Sequence, residues 1–217
     1  MRRHGVSARC GSSKDKGQEE QMAGFDVLKK VVSPKAAALC QDIDLDPAAV
    51  QCLASDPSPV EFLNALFERE SYPDAVRFLA RVLPKREAAW WACICTRGVL
   101  GPEAPPVAVQ ALAAAEQWVY KPTEANRRLA EAAAQATAFD SPASWAAMAA
   151  FWSEGSMVPE DAPAVPPADN LTAKAVAGAV MLAAVIGQPA SIQEKYRFFL
   201  TQGVDIANGG NGRPWQG

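Results

Sequence analysis

The sequence has little of what most enzymes use. It holds a single histidine, His4, in a polar N-terminal stretch. No fold would fix a base there, so neither a Ser-His-Asp nor a Cys-His mechanism is expected. A zinc site that includes histidine fails for the same reason. Strand-length runs of β-branched and aromatic residues are nearly absent, which disfavours sheet. The net charge is only −3, so composition offers nothing to nucleic acid. The cysteines are Cys10, Cys40, Cys52, Cys93 and Cys95, an odd set without framework spacing. They read as reduced thiols of a cytoplasmic protein. No apolar stretch precedes Phe25, so a secretory signal core is lacking, and the Arg2-Arg3 pair is not by itself an export signal. The longest apolar run, 171–186, carries one charge, Lys174. It falls short of the ~20 residues a membrane span needs.

What the chain does have is alanine, proline and large apolar side chains, with 49% of residues hydrophobic. That predicts an all-α fold. We expect a single domain of about eight to ten short antiparallel helices packed around a central Trp-Trp helix. That helix runs from Glu87 to Gly98, after Pro84, with Gly98 as its stop. Trp90 and Trp91 are both expected to be buried. A recurring device marks the other helix starts: Ser33-Pro34, Asp46-Pro47, Ser58-Pro59, Lys121-Pro122 and Ser141-Pro142. Tyr72-Pro73-Asp74, Pro106 and Pro189 open three more. A helix is predicted over Thr123 to Phe139, with Glu124, Arg127, Arg128 and Glu131 on its wet side. Asp169 or Asn170 caps a helix over Leu171 to Ile186.

The domain layout follows. Residues 1–21 are polar and expected to be a disordered tail, with Met22 as an alternative start of translation. Residues 22–207 form the helical domain, with a Pro-rich linker at 155–168 inside it. Residues 208–217 are a flexible Gly-rich tail.

Motifs with apparent chemistry have plain structural readings. Cys93 and Cys95 point about 200° apart on a helix, so they cannot chelate one ion and are expected to be core thiols. The run Asp42-Ile-Asp44-Leu-Asp46 mimics part of a calcium loop, but lacks its glycine and its distal glutamate. It reads as a capped turn between helices. The glycines of 208–212 have no preceding strand and no Lys-Ser/Thr, so they are no phosphate loop. No catalytic, metal or cofactor residue is therefore assigned.

The first functional expectation is a non-enzymatic protein-protein interaction factor, an adaptor or chaperone-like accessory protein. Its binding residues would come from segments left over by the core: Met157, Val158 and Val165 in the linker, Arg213 and Trp215 in the tail. Pre-stiffened segments lose less entropy on docking. The alternative is a small-molecule-binding module or cryptic enzyme with an apolar pocket lined by Trp90, Trp91 and Trp145, served by Glu87 and Arg97.

The string Ala88-Ala-Trp-Trp-Ala-Cys93 sits in a proline-punctuated helical chain, followed by the Trp145 helix and a Gly-rich end with a tryptophan. Together they resemble an uncharacterised bacterial all-helical family with an Ala-Trp-Trp-Ala-Cys motif. The resemblance spans roughly residues 25–217. It implies an accessory role, in some members linked with type VI secretion. The partner would then be another protein, a secretion-system component or an effector. The family supplies no catalytic residues.

Overall fold

Asp46-Pro47, Ser58-Pro59 and Ser141-Pro142 do start helices, and at the two serines the hydrogen bonds show why. Ser58 Oγ accepts from Glu61 N while Glu61 Oε2 accepts from Ser58 N at 2.8 Å, a reciprocal capping box. Ser141 and Ser144 form the same box, and Thr123 caps Asn126 N. In each, a side-chain oxygen satisfies a first-turn N–H that the helix itself leaves unpaired.

The computed structural model describes residues 24–159 and 161–213. Among them the chain forms nine α-helices and no strand. They are α1 (Pro47–Gln51), α2 (Pro59–Glu68), α3 (Tyr72–Val82), α4 (Lys85–Val99) and α5 (Pro106–Tyr120). There follow α6 (Glu124–Ala136), α7 (Pro142–Phe151), α8 (Leu171–Val185) and α9 (Ile192–Ala207). The expected disordered tail, 1–21, and Trp215 lie outside the described residues.

Several expected helix bounds shift. Ser33-Pro34 is followed only by a 3-10 turn, Ala37–Leu39, just after Ala36, whose N–H donates to Pro57 O at 3.0 Å. Gly98 does not stop α4, which runs on to Val99. The α6 helix ends at Ala136, not Phe139. There the Thr137 hydroxyl donates to Ala134 O at 2.6 Å and accepts from Phe139 N at 3.3 Å, turning the chain out of the helix.

The core is one cluster in which α4, α7 and α8 share the centre. Helix α7 is buried from Pro142 to Phe151 except at Trp145, and its alanines let α5, α6 and α8 approach closely. The tryptophan pair is split. Trp91 is fully buried and donates to Phe199 O at 2.8 Å, whereas Trp90 is only half-buried at the surface. Consecutive helical residues point about 100° apart, so one faces α9 and the other cannot.

Two asparagines tie the N-terminal segment 24–32 down. The Asn64 amide brackets Phe25, accepting from its N–H at 2.7 Å and donating to its carbonyl at 2.8 Å. The Asn208 amide does the same to Lys29 N and Val27 O. The segment 27–30 therefore lies at the C-terminal end of α9, where Lys30 N also donates to Ala207 O.

Candidate functional site

The tail residues 208–213 fold back onto α4 and α9. Gly212 N donates to Asp205 Oδ2 and Gly212 O accepts from Gln202 Nε2 at 2.7 Å. Gly212 has φ +69° and is packed so closely on Ile94 and Ile206 that a Cβ would overlap both. Trp90 Nε1 donates to Asn211 O at 2.8 Å, and the Arg213 guanidinium lies 5.0 Å from the Trp90 ring centroid. Arg213 is thus engaged with the body of the fold.

The Pro-rich linker is held by a clamp. Ser156 Oγ accepts from both Val158 N and Val165 N, and Met157 N donates to Val165 O at 2.8 Å. Arg127 and Arg128 both donate to Ser156 O, and Arg128 also to Val158 O. Arg127 is fully buried, not on the wet side of α6 as its spacing implied. Its guanidinium donates to Phe151 O, Ser156 O and both oxygens of Glu124, and it lies over the Phe151 ring. That full set of acceptors replaces water, which is what makes a buried arginine tolerable. Arg127, ahead of Arg128, holds the Glu124 carboxyl down at about 2. Of the linker residues singled out, Val165 is exposed, while Met157 and Val158 are half-buried in this clasp.

The tryptophans do not converge. Trp91 is sealed against α9, Trp90 faces the tail, and Trp145 on α7 stands beside Phe139 and Trp152. The two polar groups expected to serve a Trp pocket are both used elsewhere. Glu87 pairs with Lys30 at 3.0 Å and Arg97 with Glu116. Cys93 and Cys95 are fully buried, and burial pushes both thiols far up. Among the described residues no group of three His, Cys, Asp or Glu side chains is placed to hold a metal ion, and no helix is long and apolar enough to cross a membrane.

An apolar groove of about 500 Å³ is open at one end of the bundle. The end of α4 contributes Val99 and Leu100, the start of α5 Val107, the end of α6 Ala136, and the end of α8 Ile186. Val107 and Ile186 are about two-fifths exposed, at 40% and 41%. Asp140 is the one charged side chain on its wall. The α6–α7 connection along it holds two consecutive left-handed residues, Ala138 at φ 55° and Phe139 at φ 61°. Neither is glycine, so the backbone is strained beside the groove. Phe139 itself is 41% exposed, leaning over Trp145. Sequence reasoning missed this site, because its walls are the ends of four helices.

Residues 62–207 match the model of a family of unknown function, DUF6931. The chain belongs to DUF6931. The matched stretch opens within α2 and closes with α9, so every wall of the groove lies inside the DUF6931 region. The lead-in to Glu61 and the fold-back at 208–213 lie outside it. No curated protein and no solved structure matches the chain.

Proposed function

We propose that this DUF6931 protein is a non-enzymatic interaction factor, an adaptor or chaperone-like protein, which receives an apolar helical segment of another protein in the groove between α4, α5, α6 and α8. The observation that carries the reading is the groove itself. It is open, apolar and bordered by strained backbone. With Asp140 alone as a charge on its wall, a charged segment would be desolvated there without partners, whereas an apolar helix face would bury surface on both sides. The inert thiols and the internally paired Glu87 and Arg97 support a binding role over a catalytic one. The resemblance carried by the Trp-Trp string favours a secretion-system component or effector as the partner.

A photo-crosslinking residue at Val107 tests this in the native host. One defined covalent adduct is expected at Val107 and none at the exposed Val50 on α1. Equal labelling at both sites, or none at Val107, would count against the groove.

A further inference from the structure

A second cleft, of about 240 Å³, lies between α3 and α8 beneath the segment Asp42-Ile43-Asp44. Its floor is apolar: Ala173, Ala177 and Met181 line one face of α8, and Ile43 stands opposite. Its volume is below the roughly 300–1,000 Å³ of pockets that take drug-sized ligands and cofactors. A small ligand with one apolar arm fits that floor.

The charges around the cleft decide the ligand's class. Arg77 and Arg81 lie one turn apart on α3 and are both already paired. Arg77 Nη1 donates to Asp74 at 2.9 Å, and Arg81 Nε to Asp42 at 3.0 Å. Asp74 is buried and also accepts from Asp46 N, so Arg77 is held in place from behind. Two charged groups on the wall are left over, Asp44 and Lys174. Among the described residues neither side chain has an ion-pair or hydrogen-bond partner. They are opposite in sign and do not pair with each other across the cleft. A purely anionic ligand would meet the unpaired Asp44, and a purely cationic one the unpaired Lys174. A ligand with one charge of each sign satisfies both leftovers.

We infer that this cleft binds a free α-amino acid with an apolar side chain. Its ammonium group pairs with Asp44, its carboxylate with Lys174, and its side chain lies on Ala173, Ala177 and Met181. This goes beyond the docking groove and stands or falls separately, since the two sites share no lining residue.

The test is calorimetric titration of the full chain with L-leucine and L-phenylalanine. Two analogues of leucine each lack one charge: 4-methylpentanoate has no ammonium, and 3-methylbutylamine no carboxylate. Saturable one-site binding of an amino acid is expected, with each analogue at least about tenfold weaker. Asp44→Asn should weaken leucine about tenfold and leave 4-methylpentanoate unchanged, and Lys174→Gln should weaken leucine and leave 3-methylbutylamine unchanged. Both positions are exposed, and thermal unfolding checks that the variants fold. No saturable binding of either amino acid at millimolar concentration would overturn the inference. So would analogues that bind as tightly as leucine, or leucine binding that both variants leave intact.

Discussion

The indole Nε1 of Trp91 donates to the carbonyl oxygen of Phe199 at 2.8 Å, joining α4 to α9 inside the core. One turn on, Gly203 makes that approach possible. A Cβ there would stand 2.6 Å from Leu79 Cδ2 and 2.8 Å from Trp91 Cε2. Trp91→Ala should therefore destabilise the fold by ~3–5 kcal/mol through the cavity it leaves. Gly203→Ala should destabilise by ~1–3 kcal/mol through overpacking. Urea unfolding measures both. A Gly203→Ala midpoint equal to wild type would show that α9 is free to move away from α4.

The arginine clamp on the linker gives a second prediction, with a pH dependence. Arg127→Met leaves the Phe151 carbonyl buried without its donor, for a loss of ~1–3 kcal/mol. Arg127→Lys should not restore it, because an ammonium cannot span Phe151 O, Ser156 O and Glu124 together. The Glu124 carboxyl titrates at about 2 in place of the ordinary 4.5. A lowered carboxyl favours the folded state above its ordinary value, so its contribution is present above 4.5 and is lost as pH falls toward about 2. Glu124→Gln should remove part of the acid sensitivity in that window. If wild type and variant lose stability in parallel between pH 4.5 and 2, the clamp is not what Glu124 supports.

The C-terminal fold-back gives the third. Asn208→Ala removes two hydrogen bonds to the N-terminal segment, each worth ~0.5–1.5 kcal/mol. Deleting 208–217 also frees Ile94 and Ile206 from Gly212, so the melting temperature should fall further than with Asn208→Ala alone. A deletion that leaves the melting temperature unchanged would make these residues a free docking segment instead.

The helix starts were legible because capping is local. Ser58 with Glu61, and Ser141 with Ser144, carry the box within four residues. The all-α class followed from composition for the same reason. What was not legible depends on residues far apart in the chain. Trp90 and Trp91 are neighbours of the same type, and only the distant Phe199 and Asn211 decide which is core. Arg127 has the spacing of a solvent-facing residue until Phe151 and Ser156 supply its acceptors. The groove is assembled from Leu100, Val107, Ala136 and Ile186, which no sequence window contains together. Nothing in the identity of Ala138 or Phe139 announces a left-handed backbone.

That strain supports a fourth prediction. Ala138→Gly relaxes a left-handed residue, offset in part by the greater freedom of glycine in the unfolded chain. Stability should hold or rise by up to ~1 kcal/mol while partner binding weakens. A clear loss of stability would mean that the left-handed backbone at the exposed Ala138 stores no strain.

The most direct test of the docking reading compares recovery of a partner from the native host by the wild-type chain, by Val107→Asp and by Ile186→Asp. Both residues line the groove and are partly exposed, so the melting temperature should change little. The account predicts a defined partner recovered with wild type and lost with either aspartate, because a charge in the groove would be buried unpaired. Recovery of that same partner at wild-type levels with both variants would contradict it.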